Sequence, residues 1–302
     1  MNIKTYHINV VSAFVFSALF AFLLVAKAGV NDDNLRYWPG VRALYPVPIK
    51  WESLAKGFDR TVLRFEGETM TLVAEPPRLL QRKIELVVFR IDTARYPVRV
   101  ISANKISGAN KADIRSAHRK TGAVLTVNGG YFSKDGDPMG LVISDGQLAN
   151  RWSEEGGSGA FAIFGSVPRI DWAKNIAEAN PPPKQAIQNG PLLIEPGHEF
   201  GMTTLRDDYD YRTVLALDKS NRLLVLLTRK TCGGQTTLCG IRLFEAAVIL
   251  YNAEEIGGFA ANTAINLDGG TSSGMELSLG PHRDRIGMGL QVPNFICVMP
   301  AR

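Results

Sequence analysis

The stretch Ala264-Ile265-Asn266-Leu267-Asp268-Gly269-Gly270-Thr271-Ser272-Ser273-Gly274 sets a carboxylate beside two glycines and three hydroxyls. Ala264, Ile265 and Leu267 suit the interior of a strand, and a glycine pair ends one. Asp268 would then stand at the strand's C-terminal end, where open sheets place their chemistry. Gly269 and Gly270 let the backbone approach a ligand closely. Thr271, Ser272 and Ser273 add hydroxyls and amide donors, so the turn suits an anion. The competing reading of the same peptide is an ordinary Asp-Gly turn between two strands.

Two other apolar strands stop in a similar way. Ala123 to Val127 runs into Asn128-Gly129-Gly130, and Asn189-Gly190-Pro191 precedes the apolar Leu192-Leu193-Ile194. Strands of one sheet would bring these breaks to one edge; otherwise each is a separate turn. Arg212 opens a further strand and offers a planar, permanently charged fork for phosphate or carboxylate. Gly270 to Gly274 also spells G-x-S-x-G, but Met275 to Leu279 reads as strand where a nucleophile elbow needs a helix. No P-loop and no helix-opening G-x-G-x-x-G occurs, which removes the nucleotide-binding folds. Asp207, Asp208 and Asp210 lack the spacing, central Gly and terminal Glu of a calcium loop and read as a solvated loop. No metal site and no cofactor is expected.

The elements that must position these residues alternate between strand and turn. Thr61 to Phe65 and Ile84 to Ile91 are strand-like, and Val98 to Ile101 is expected to pair back on the latter as a hairpin. Lys111 to Lys120 is a short polar helix on which His118 would be solvated. Gly140 to Leu148 is a strand with an Asp-Gly turn at Asp145-Gly146. Ala160 to Phe164 is another strand. Arg212 to Leu217 and Arg222 to Thr228 form a hairpin. Phe244, Ala247, Val248 and Tyr251 recur at helical spacing and predict an amphipathic helix. Glu245 lies in its first turn, where a carboxylate suits the helix dipole. Gly257-Gly258 would cap its end, and the chain would cross over to the Ala264 strand. Phe295 to Met299 is the last strand. The fold class is α+β: a single domain with a mixed, largely antiparallel sheet flanked by a few helices.

The 302 residues are 45% hydrophobic and carry a net charge of only +5, with Arg and Lys scattered singly. That composition supports a large core and argues against a nucleic-acid partner. Lys4, the apolar run Val10 to Ala26 and the small-x-small Ala26-Lys27-Ala28 mark residues 1–28 as a signal peptide, with an uncleaved anchor as the alternative. Residues 29–50, with Pro39, Pro46 and Pro48, read as a Pro-rich linker, and residues 51–302 as the globular body. Either form of the leader places the body in the periplasm or outside the cell, with membrane contact only through an uncleaved N-terminal segment. In that oxidising setting Cys232 and Cys239, which bracket a polar loop, are expected to form a disulfide. Cys297, in an apolar strand, is expected to be a buried thiol.

The ordered set Val127-Asn128-Gly129-Gly130-Tyr131-Phe132, Gly140 to Gly146, Gln188-Asn189-Gly190-Pro191-Leu192-Leu193, Arg212-Thr213, Leu243 to Ala247 and Leu267 to Ser273 resembles the phosphodiester glycosidase family. The resemblance covers roughly Trp51 to Met299. Thr271 stands where the family more often has Gly, and Asn189 where a small residue is expected. The resemblance implies a hydrolase acting between a sugar's anomeric carbon and a phosphodiester, with a sugar-phosphate or glycan as partner. In that reading Asp268 activates water or stabilises oxocarbenium-like charge. Arg212 holds the phosphate, with Ser272, Ser273 and the Gly269 and Gly270 amides as further donors. Asn128 and Asn189, beside Gly129, Gly130 and Gly190, bind sugar hydroxyls. Glu245 is a second carboxylate, or else serves its helix terminus. The rival is a non-catalytic glycan-binding or exopolysaccharide-assembly protein of the same fold.

Overall fold

The computed structural model describes residues 49–70, 79–202, 209–229, 237–238, 240–254, 257–287 and 289–302; side chains are described outside 65–70, 79–83 and 237–238. All of these lie in one compact unit, Ala43–Arg302. The expected leader, the linker up to residue 48, Cys232, Cys239, Asp207 and Asp208 fall outside the described residues.

Among the described residues the body is three sheets with four short α-helices. The first sheet has the order β1 (Glu52–Ala55), β2 (Phe58–Met70), β3 (Leu79–Ile91), β14 (Leu223–Arg229), β13 (Thr213–Asp218), β16 (Ala261–Asn266), β11 (Leu192–Glu195), β12 (Glu199–Phe200); β15 (Thr237–Leu238) adds to β3. The second runs β7 (Gln147–Asn150), β6 (Val142–Ser144), β10 (Gln185–Asn189), β8 (Gly159–Phe164), β9 (Val167–Trp172). The third runs β18 (His282–Ile286), β17 (Met275–Leu279), β5 (Leu125–Asn128), β19 (Asn294–Val298), β4 (Val98–Ser102). Apart from the short parallel contact of β15 with β3, the pairs are antiparallel. The expected antiparallel character holds, but the protein is richer in sheet than a balanced α+β fold.

One apolar core joins all three sheets: Phe58, Val87 and Phe89 from the first, Phe161 and Ile187 from the second, Val127 and Ile296 from the third. Each such side chain contributes about 1.5–3 kcal/mol on burial. Phe58 packs edge-on against Phe89 and Tyr96, with ring centroids 5.9 and 5.2 Å apart.

Several local expectations hold. Asp145 and Gly146 both have positive φ, 55° and 78°, as a two-residue hairpin turn requires. β13 and β14 form the expected hairpin, closing at Leu217 against Leu223. Cys297 is a free, buried thiol whose pKa burial pushes up to about 11.

Others are corrected. β4 does not pair back on β3; it joins β19 in another sheet, because its apolar residues Val98 and Val100 serve a core that several sheets share. Helix α4 (Leu243–Tyr251) forms where expected, but Phe244 to Leu250 are all buried, so it is enclosed rather than two-faced. It ends at Asn252, well before Gly257-Gly258. Helix α2 (Ile114–Thr121) is capped by the Asp113 carboxylate, which accepts the Ser116 amide, and by left-handed Gly122. His118 on it is 6% exposed rather than solvated, its Nδ1 lying 3.1 Å from Thr126 Oγ1 of β5.

Candidate active site at the meeting of three sheets

The three polar breaks come from three different sheets and meet. β5 ends at Asn128, β10 at Asn189, and β16 at Asn266, two residues before Asp268. The Asp268 amide donates to Gly129 O at 3.1 Å. Asn128 Nδ2 donates to Asp268 O at 2.7 Å, and Asn189 Nδ2 donates to Asn266 O at 3.0 Å. The remaining amide oxygens are also engaged. Asn128 Oδ1 accepts from Thr213 Oγ1 at 2.8 Å and the Gly274 amide at 3.1 Å. Asn189 Oδ1 accepts from the Tyr131 amide at 3.1 Å. Both asparagines are fully buried. They bracket the sheets together.

The glycines serve that same close approach. A Cβ on Gly129 would lie 1.9 Å from Asn294 Oδ1, one on Gly130 2.9 Å from Gln188 O, and one on Gly190 2.8 Å from the Ser158 amide nitrogen. A side chain at any of these three positions would meet neighbouring backbone or side-chain atoms.

Asp268 itself is half-buried, at the lip of this junction. Its Oδ1 accepts the Gly269 amide at 3.0 Å. Burial raises its carboxyl above the usual 3.8; hydrogen bonds from Ser272 and the Gly269 amide oppose the rise, and the charge of Asp210 adds to it. Asp210 is the residue the sequence hides among acidic neighbours. Its backbone exchanges hydrogen bonds with Ile241 at 3.0 and 3.3 Å, and its Oδ1 accepts the Tyr211 amide at 2.8 Å. Its Oδ2 lies 3.0 Å from where a Gly270 Cβ would stand. Gly270 has φ 60°, in the left-handed region that favours glycine.

Arg212 lies beside the same turn. Its Nε donates to Ile241 O at 3.2 Å, and its Nη1 is 3.8 Å from the Cβ position of Gly269. Tyr131 closes another side: its hydroxyl donates to Gly190 O at 2.5 Å and accepts from Asn266 Nδ2 at 3.1 Å. Burial raises the Tyr131 pKa, Asp268 adds to the rise, and the Asn266 bond and the Arg212 charge oppose it, so all three groups lie within electrostatic reach.

Other expected donors have internal partners. The Gly270 amide donates to Tyr211 O at 2.8 Å, and Ser273 Oγ donates to the same carbonyl at 3.2 Å. The Ser272 hydroxyl serves Asp268. Glu245 Oε2 accepts the Arg242 amide at 3.1 Å, so it caps its own helix. Met275 to Leu279 is strand β17, which disposes of a serine elbow. Among the described residues no group of three or more His, Cys, Asp or Glu is placed to hold a metal. At the junction the Asp268 and Asp210 carboxylates lie beside the Arg212 guanidinium.

Comparison with solved structures finds this fold in the zebrafish N-acetylglucosamine-1-phosphodiester α-N-acetylglucosaminidase catalytic domain, auto-inhibited by its pro-peptide, with a TM-score of 0.60 at 18% identity over 87% of this chain and 93% of that one. A Burkholderia pseudomallei K96243 protein gives 0.56 at 11% identity over 85% and 98% of the two chains. A Synechocystis hypothetical protein gives 0.50 at 15% identity over 84% of this chain and 64% of that one. No curated protein matches in sequence. The family model for phosphodiester glycosidases matches residues 121–299, which holds β5, β10, β13, α4 and β16 and every residue of the junction. This chain belongs to the phosphodiester glycosidase family.

Proposed function

We propose that the protein is an exported hydrolase that cleaves the bond between a sugar's anomeric carbon and a phosphodiester in envelope or extracellular glycans. The observation that carries this reading is the half-buried Asp268 at the meeting of three strand ends, with Asp210 and the Arg212 guanidinium beside the same turn. A carboxylate whose proton affinity is raised by burial and a named charged neighbour is a functional-site candidate.

In the reaction, water adds to the anomeric carbon as the bond from that carbon to the phosphate oxygen breaks. The phosphate monoester leaves with that electron pair, so a strong general acid is less necessary than with an alcohol leaving group. Ionised Asp268 takes the proton of the attacking water and stabilises oxocarbenium-like charge. Arg212 binds the phosphate in a planar fork. Asp210 adds to the proton affinity that burial gives Asp268, and it takes the place of Glu245 as the second carboxylate. Asn128, Asn189, Gly129, Gly130 and Gly190 hold the three strand ends in place. Export rests on the leader features of residues 1–28.

The test is to incubate the purified protein with a panel of sugar-1-phosphodiesters, including N-acetylglucosamine-1-phosphodiesters and teichoic-type polymers. The expected products are reducing sugar and a phosphate monoester in equal amounts. Binding of these compounds without turnover would mean a glycan-binding protein of the same fold. N-terminal sequencing of the exported form checks the leader, with a start near Gly29 expected on cleavage.

A further inference from the structure

Among the described residues, few large apolar side chains are exposed, and two are tryptophans: Trp152 at 38% and Trp172 at 39%. They are far apart in sequence but flank the same loop, Ser153 to Ser158. Strand register puts both at the junction end of the second sheet. In that sheet Val142 pairs with Asn150, and Ile187 pairs with Val142, so the chain leaves β7 toward Trp152 at the end where β10 reaches Asn189. Trp172 pairs with Gly159, and Gly159 pairs with Asn189, so β9 finishes at that same end.

Hydrogen bonds tie both positions to the site. Ser153, next to Trp152, bonds through its hydroxyl to Met139 O at 2.5 Å, and the Met139 amide donates to Tyr131 O at 3.0 Å. On the other flank the Ala173 amide donates to Ser158 O at 2.9 Å, and Ser158 Oγ accepts the Leu192 amide at 3.2 Å. Gly157 and Ser158 lie directly against Asn189 and Gly190. Gly190 O in turn receives the Tyr131 hydroxyl and Asn266. The backbone next to each tryptophan is thus bonded to the residues beside Asp268.

We propose that Trp152 and Trp172 are stacking platforms for the pyranose rings of an extended glycan, on either side of the Ser153 to Ser158 loop. Indole is a large, rigid surface with an apolar body and a polar N–H, and tryptophan is enriched where proteins meet their partners. A gluco-configured pyranose presents a flat C–H face that matches it, and its equatorial hydroxyls stay in water. The occupant is a sugar chain rather than a protein because the two platforms are separated by a polar loop and continue into a site of glycosidase type. The substrate class is therefore a polymer or oligosaccharide carrying the sugar phosphodiester, not a free sugar phosphate. The assignment deepens the proposed function and rests on it, because the glycosidase reading is what names a sugar chain as the occupant.

The experiment reads binding alone. The N-acetylglucosamine hexamer, which carries no phosphodiester, is titrated into the wild-type protein, the Asp268→Asn variant, Trp152→Ala, Trp172→Ala and the double variant, with calorimetry and intrinsic fluorescence as readouts. Wild type and Asp268→Asn should bind alike, each single tryptophan variant about tenfold more weakly, and the double variant below detection, in line with the cost of removing one stacking face. The tryptophan variants should keep the wild-type melting temperature, since both side chains are exposed. Absence of hexamer binding by the wild type, or unchanged affinity in the double variant, overturns the proposal. Failure of the catalytic reading shows separately, as hexamer binding without hydrolysis of any phosphodiester.

Discussion

At the scale of the residue, Asp268 is held in a state that costs stability. Its folded pKa is raised above the unfolded value, so the folded form binds the proton more tightly. The stability this contributes is complete below the unfolded pKa and is lost as pH rises through the folded one. At neutral pH the ionised carboxylate therefore works against folding. Asp268→Asn should melt no lower than wild type at pH 7, and a clear fall in melting temperature would contradict the burial argument. Asp210 tests the electrostatics from outside. Its charge raises Asp268, so Asp210→Asn should let Asp268 ionise at lower pH. If the ionised form is the base, the acidic limb of the kcat/KM profile moves to lower pH in that variant. An unmoved limb would separate Asp210 from the chemistry. Asp268 was legible in the sequence because a carboxylate next to two glycines at a strand end is a local signal. Asp210 was not, because its place depends on a bridge to Ile241, a contact no local pattern announces.

At the scale of the element, the legible features were those set by neighbours in sequence. The Asp145-Gly146 turn, the β13–β14 hairpin and the position of α4 follow from turn chemistry and periodicity. Sheet membership did not follow, because β4 and β3 are equally apolar and only long-range packing decides which partner each takes. The same limit applies to Asn128, Asn189 and their glycines. Their convergence could be anticipated, but not that the amides would be consumed in bracketing strands from three sheets. That bracket predicts stability effects. Gly129→Ala places a methyl 1.9 Å from Asn294 Oδ1 and should destabilise by at least the ~1–3 kcal/mol typical of overpacking. Asn128→Ala strips partners from Thr213, Gly274 and Asp268 and should cost about 1–3 kcal/mol for each group left unsatisfied. Urea denaturation measures both. Wild-type stability in either variant would contradict the bracketing role.

At the scale of the whole molecule, ionic and polar ties join the sheets around the shared core. Arg229 Nη2 meets Asp284 Oδ2 and its Nε meets Glu85 Oε1, each at 2.6 Å, so β14, β3 and β18 are pinned together across two sheets. Arg99 of β4 pairs with Asp145 at 2.6 Å, joining the third sheet to the second and holding Asp145 at about 2. Buried His118 adds a pH dependence of its own. Burial lowers its pKa below the usual 6.5, Arg283 lowers it further, and Glu276 opposes the shift. The unfolded chain therefore takes up a proton near pH 6.5 that the folded chain refuses, and stability falls as pH drops below that value. Replacing His118 with Gln should flatten the stability curve between about pH 7 and 5 while leaving the acid loss of the carboxylate ties in place. An unchanged slope would mean that His118 titrates freely in the folded state.

The central claim is that Asp268 performs chemistry at the meeting point of the three sheets. Its most direct test is the rate at which folded wild type and folded Asp268→Asn release reducing sugar from the best sugar-1-phosphodiester of the panel. The expected result is a fall of about 10²–10⁴-fold in the variant, with circular dichroism and melting preserved. A folded Asp268→Asn protein that cleaves the same compound at close to the wild-type rate would contradict the account.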